Sequence, residues 1–122
     1  GNKDVPTMYR KYGQPVIIGG SMETGSYLLA GTAGAEELTF GSTAHGSGRT
    51  MSRNAARRQW HAETLQKEME KRGIYVRTTS FSGLAEEACG AYKDITDVCE
   101  ATEKAGISKI VCKMLPIGNV KG

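Results

Sequence analysis

Apolar residues along the chain gather in short runs between glycine-rich and polar segments, with one long stretch where they recur at helical spacing. Pro15-Val16-Ile17-Ile18, closed by Gly19-Gly20, predicts a buried strand. Ser26-Tyr27-Leu28-Leu29-Ala30, stopped by Gly31, predicts a second strand, and Glu37-Leu38-Thr39-Phe40 a third. From Ser52 to Arg72 the pattern is helical: Ala55, Ala62, Leu65 and Met69 follow at spacings of seven, three and four, with Trp60 to one side. Ser52 suits the N-cap, and Gly73 stands where a glycine ends a helix. Ile74 to Thr79 predicts a strand and Leu84 to Ala88 a short helix. Asp94 caps a second main helix with Asp97 in a capping-box-like position; Ile95, Val98, Cys99 and Thr102 form its inner face, and Gly106 ends it. Ile110 to Leu115 predicts the last strand, halted by Pro116, and residues 1–14 read as a polar lead-in with little core.

These elements predict a mixed α/β (α+β) fold of short strands with two main helices, without repeats, a repeating strand–helix–strand unit or an interior linker. Residues 1–122 read as one small domain. That length supports a modest core and is short for an enzyme that builds a deep site alone.

Composition mostly excludes. The net charge of +3 is weakly basic, so what matters is where the positive charge sits. No apolar run approaches membrane-spanning length, and GNKDVPTMYRKYG lacks the apolar centre of a signal peptide; no membrane and a cytoplasmic location are expected. Cys89, Cys99 and Cys112 are odd in number and lack CxxC spacing, which argues against a disulfide framework or a zinc site. Cys99 and Cys112 are expected on apolar faces, as small hydrophobes in a reducing compartment.

Charge and chemistry meet in STAHGSGRTMSR, residues 42–53. His45 stands at the mouth of a glycine loop that opens into a basic helix. Arg49, Arg53 and Arg57 lie four apart, predicting one helical face, with Arg58 beside them. A cation in the first turn, such as Arg53, opposes the helix macrodipole at a typical cost of a few tenths of a kcal/mol. An anion bound at that terminus reverses the sign, because free N–H groups and arginine forks then share one ligand. Gly46 and Gly48 permit close backbone approach, although no Gly-Lys-Ser/Thr follows, so this is not a Walker A loop. Beside a bound phosphate, His45 can act as a general acid or base, bind a metal, or attack phosphorus, and Arg49 nearby favours its neutral form. A surface turn with an incidental histidine and a solvated basic face is the plainer alternative. His61, between Trp60 and Ala62, reads as an ordinary helical histidine. A second loop, GGSMETGS at 19–26, offers amides and the Ser21 and Ser26 hydroxyls to a nucleotide.

FGSTAHGSGRTMSRNAARR resembles the histidine signature of the RtcB family of RNA ligases, with Ser47 where alanine is usual. GGSMETGSY resembles that family's Gly-Ser-Met loop, and AYKDITDVCEATEKAGISKIVCKMLPIGNVKG its C-terminus, including Lys121-Gly122. The resemblance implies the C-terminal portion of the RtcB fold. It implies that His45 attacks the α-phosphorus of GTP and becomes guanylylated, that the guanylyl group passes to an RNA 3′-phosphate, and that a 5′-hydroxyl displaces GMP. Gly19, Gly20, Ser21, Met22, Ser26, His45, Gly46, Ser47 and Gly48 match nucleotide-binding positions, Lys121 one that reaches the guanine, and Tyr92 one beside the base. Arg49, Arg53 and Arg57 would then face RNA phosphates. The manganese ligands of the family come from a longer upstream region; besides His45 this sequence has only His61, so a metal site cannot be assembled here and the isolated fragment is expected to be inactive. Implied partners are RNA (tRNA exon halves or broken RNA), a guanine nucleotide and an archease-type activator. A stand-alone GMP- or RNA-binding module, or a phosphohydrolase with a covalent histidine, would use the same residues.

Overall fold

A computed structural model describes residues 3–121; Gly122, part of the terminal Lys-Gly match, lies outside them. In chain order the elements are β1 (Pro15–Gly19), β2 (Ser26–Gly31), α1 (Ala33–Thr39), α2 (Arg53–Gln59), α3 (Ala62–Lys71), β3 (Tyr75–Thr78), α4 (Phe81–Glu86), α5 (Ile95–Lys104), β4 (Ser108–Met114) and β5 (Gly118–Lys121). A 3₁₀ turn at Cys89–Ala91 precedes α5. The mixed α/β class stands.

One antiparallel sheet runs β1-β2-β4, and α5 covers its inner face. There Ile18, Tyr27 and Leu29 meet Ile95 and Cys99, with Val98 partly buried against them. Asp94 caps α5 as expected, its carboxylate accepting from the Thr96 amide at 2.7 Å. Thr102 is buried but satisfied, bonded to the Cys99 carbonyl and the Ser108 hydroxyl at 2.8 Å each. A second core joins Leu65 and Met69 of α3, Ile74, Val76 of β3, Leu84 of α4 and Ala88. Met22 belongs to it as well. The 19–22 loop therefore leaves one core at Ile18 and enters the other at Met22, and the candidate site lies along that passage.

Five expectations need correction. The helix expected over 52–72 is two helices, α2 and α3, separated by extended backbone at Trp60 and His61. On a continuous helix Trp60 would point about 200° away from Ala62 and its stripe. Breaking the helix lets both the indole and the Leu65–Met69 stripe reach the second core. His61 is consequently the exposed N-cap of α3 rather than a mid-helix residue. Glu37 to Phe40 is not a strand but the end of α1 and its cap. Only Ala35 of α1 is buried, Phe40 is 95% exposed in a left-handed conformation, and the run of Ala, Glu and Leu follows its helical propensity. β5 follows Pro116 and pairs in parallel with β3, an element the short run Gly118–Lys121 does not announce. Cys112 is exposed, since Ile17, Leu28 and Cys112 stand opposite one another on the sheet's outward face.

Candidate functional site

The two loops singled out by sequence are joined directly. Gly19 and Gly46 form an isolated parallel bridge, with the Ser47 amide donating to the Gly19 carbonyl at 2.8 Å. On its other side the histidine loop is tied to the 90–93 segment: Lys93 N–H donates to Gly48 O and Thr50 N–H to Ala91 O, each at 2.9 Å. Gly48 has φ +76°, a region its missing Cβ opens. Between these ties His45 is exposed, and its imidazole makes no hydrogen bond or ion pair with the described residues. Ser47 behind it is only 4% exposed, and its Oγ has no partner. A buried hydroxyl without a partner is costly unless a ligand or water satisfies it.

Gly20 donates to Gly25 O at 2.8 Å, and a Cβ at Gly20 would lie 2.5 Å from that same carbonyl oxygen, so the turn closes too tightly for alanine. Ser21 Oγ accepts from the Glu23 and Thr24 amides and bonds the Thr24 hydroxyl. Met22 offers only backbone to a ligand, because its side chain is in the second core and its carbonyl already accepts from Asn119 Nδ2. Glu23 anchors the loop to α3 through Arg72 at 2.5 Å and to Cys89 through that residue's amide at 3.3 Å. Ser26 opens β2, opposite Gly19 of β1.

The arginines divide. Arg49 precedes α2 and turns inward: it donates to Met51 O at 3.1 Å, Glu86 O at 2.7 Å and Tyr92 Oη at 2.8 Å, and its guanidinium lies 4.7 Å from the Tyr92 ring centroid. Arg53 and Arg57 do share a face of α2. Both reach Glu86, which is 8% exposed: Arg53 Nε at 3.3 Å, and Arg57 through Nε at 2.6 Å and a second guanidinium nitrogen. The first-turn cation is thus answered by a carboxylate from α4 rather than left against the macrodipole. Arg58 is exposed.

The neighbouring Glu87 gathers the other predicted residues. Tyr92 Oη donates to its Oε2 at 2.8 Å, Lys121 Nζ donates to the same oxygen at 3.2 Å, and Arg49 stands 3.7 Å from Oε1. Burial alone would raise the pKa of Glu87, but the hydrogen bonds from Tyr92 and Lys121 and the charges of Lys121 and Arg49 outweigh it and hold it below the ordinary value. Burial and the bond to this carboxylate push Tyr92 upward. The sequence reading missed Glu86 and Glu87. Their signal was an acidic pair in an otherwise apolar short helix, opposite an arginine-rich one.

The match to known proteins covers the same ground. The profile of the family described as tRNA-splicing ligase RtcB matches residues 1–122. The chain belongs to the RtcB family. It is 53% identical over 122 residues to a tRNA-splicing ligase RtcB of Pyrococcus horikoshii, covering all of this chain and 14% of that protein. The corresponding ligase of Archaeoglobus fulgidus is also 53% identical, with 25% of its length covered. An RNA-splicing ligase RtcB homolog 2 of Entamoeba dispar is 50% identical over 121 residues, with 23% of its length covered. The chain thus spans a quarter or less of these relatives.

Against the ligands that RtcB resemblance implies, the residues present divide again. The bridged glycine loops, the Ser47 hydroxyl and the Glu87 cluster suit a nucleotide. Among the described residues no three His, Cys, Asp or Glu side chains gather as metal ligands, and no step below runs through manganese. No helix among them is long and apolar enough to cross a membrane.

Proposed function

We propose that this chain carries the nucleotide-handling part of an RNA ligase that joins RNA 3′-phosphate or 2′,3′-cyclic phosphate ends to 5′-hydroxyl ends through a guanylylated histidine. One observation carries the reading: the Gly19–Gly46 bridge fastens the exposed His45 beside a loop rich in amides and hydroxyls. In the first step a neutral His45 nitrogen attacks the α-phosphorus of GTP; a P–N bond forms, pyrophosphate leaves, and the ring's remaining proton passes to solvent. A 3′-phosphate oxygen of RNA then attacks that phosphorus and the P–N bond breaks, restoring the histidine. The 5′-hydroxyl oxygen of the second RNA attacks the 3′-phosphorus, GMP leaves, and a phosphodiester remains. A cyclic end must first take up water, since only the monoester offers the attacking oxygen. Gly46, Ser47 and Gly48 would hold the phosphates, Gly19 to Ser21 and Ser26 the sugar and phosphate edge, and Tyr92 and Lys121 the base. Arg53, Arg57 and Arg58 present the cationic face to RNA, while Arg49 serves the interior.

The test uses the full-length protein that contains these residues. His45→Ala is expected to abolish transfer of label from α-labelled GTP to the protein and sealing of 3′-phosphate ends. It should still join RNA whose 3′-phosphate already carries GMP. Loss of that last reaction as complete as the loss of labelling would refute a purely nucleophilic His45. Phosphate release with no guanylyl adduct in the unmodified protein would point to hydrolysis instead.

A further inference from the structure

We propose that Glu87 is the positioning residue for guanine recognition, holding the Lys121 ammonium in place so that GTP is selected over ATP. The inference rests on the reading of Lys121 and Tyr92 as base contacts. Lysine is a compact charge on a flexible four-carbon stem. Unrestrained beside a triphosphate, it would be drawn to the phosphates, which every nucleotide shares, and would recognise charge rather than base. Glu87 opposes this in two ways. It partly neutralises the ammonium, and it takes one of its three N–H donors at 3.2 Å, leaving two to point elsewhere. Guanine presents acceptors at O6 and N7, whereas adenine places an amino donor where O6 would be. A fixed ammonium therefore distinguishes the two bases; a wandering one does not.

Tyr92 is committed in the same way. Its only hydroxyl proton goes to Glu87 at 2.8 Å, and the oxygen accepts from Arg49 at 2.8 Å. That hydroxyl has no donor left for a nucleotide, so Tyr92 offers its ring to the base rather than a hydrogen bond. Three groups from separate segments thus converge on one carboxylate: the histidine loop through Arg49, the lead into α5 through Tyr92, and β5 through Lys121. Backbone alone does not fix Lys121's charge, since the Thr78–Lys121 register sets its Cα and leaves the side chain free.

The experiment compares full-length wild type, Glu87→Gln, Lys121→Met and the double variant, measuring adduct formation at His45 with labelled GTP and with labelled ATP. Glu87→Gln is expected to raise KM for GTP about tenfold, the scale of one charge-assisted hydrogen bond, with maximal rate within about twofold. KM for ATP should not rise, so the GTP-over-ATP preference falls by the same factor. In the Lys121→Met background the Glu87→Gln penalty should shrink to less than about twofold. An equal penalty for both nucleotides, no penalty, or one undiminished without Lys121 overturns the proposal. Where Glu87→Gln does not fold, Glu87→Asp carries the test: its shorter arm must lower the preference severalfold, and wild-type preference overturns the idea. If the unmodified protein forms no adduct with GTP, the ligase reading falls and takes this inference with it. If it labels normally and the variants keep the preference, only the inference falls.

Discussion

Replacing Glu86 by glutamine should weaken the fold and strengthen RNA binding at once. In the folded chain one Glu86 oxygen accepts from Arg57 Nε at 2.6 Å and meets a second Arg57 nitrogen, while the other oxygen faces Arg53 at 3.3 Å. Glutamine keeps a single acceptor oxygen, enough for Arg57, and turns an NH₂ donor toward Arg53. The arginine side chains are 48% and 68% exposed, so solvent screens much of the attraction. Discounted for that, the loss should be about 1–2 kcal/mol, read as a lower urea midpoint. On the RNA side the local charge of two arginines and one carboxylate rises by one. Each additional phosphate neutralised on a single strand steepens the log K against log salt slope by about 0.7. Across a fourfold salt range that amounts to about a two- to threefold change in affinity, with the variant's advantage largest at low salt. Fluorescence anisotropy of a 3′-phosphorylated single-stranded RNA over several KCl concentrations reads the slope directly. A lower urea midpoint with an unchanged slope would show that Arg53 and Arg57 serve the fold alone, and the RNA-facing role of this helix would be withdrawn.

Two further outcomes test the packing and the electrostatics. A Cβ at Gly90 would lie 2.6 Å from Cζ2 of Trp60, whose indole also packs on the second core, so Gly90→Ala should cost about 1–3 kcal/mol. As Trp60 is the only tryptophan, a shift in its emission should accompany the loss, and an unshifted spectrum at full stability would refute the contact. Glu87 binds its proton more weakly folded than unfolded, so its contribution to stability is full above the ordinary glutamate pKa and is lost as pH falls through the lowered folded value. Stability should fall on the acid side of that range and less steeply in Glu87→Gln; parallel acid limbs would rule the linkage out.

The elements legible in the sequence were those whose own residues determine them. Asp94, the stripe of Ile95, Cys99 and Thr102, and Gly106 specify α5 locally, and the apolar runs at 15–18 and 26–30 do form strands, although the first is not buried as expected: only Ile18 of β1, and Tyr27 and Leu29 of β2, are buried in the core. Reading failed where a distant partner decides. Nothing near Trp60 states that a core formed by Leu65, Ile74 and Leu84 will draw it inward and break a good helical pattern. Gly118–Lys121 becomes a strand because β3 supplies its hydrogen bonds. At the site, the histidine and glycine loops stood out because loop chemistry is written in consecutive residues. The arginine face misled for the opposite reason: spacing placed Arg49, Arg53 and Arg57 together, but Arg49 lies before the helix and meets Tyr92 and Glu86. Charge partners far apart in sequence are invisible to periodicity.

The parallel pairing of β3 with β5 also bears on the order of folding. A parallel pair cannot close through a tight turn; here α4 and α5 and the strand β4 all intervene between Thr78 and its partner Lys121. Loop-closure entropy must be met before so distant a contact is rewarded, so this ladder zips after the helices between its strands have docked. A two-stranded ribbon is also too small to persist without them. The histidine loop's ties to the 90–93 segment, Thr50 to Ala91 and Gly48 to Lys93, span about as much chain as Thr78 to Lys121, so the same closure cost applies to both halves of the candidate site. A site assembled in this way is a product of long-range closure, and a partly folded chain would lack both halves of it.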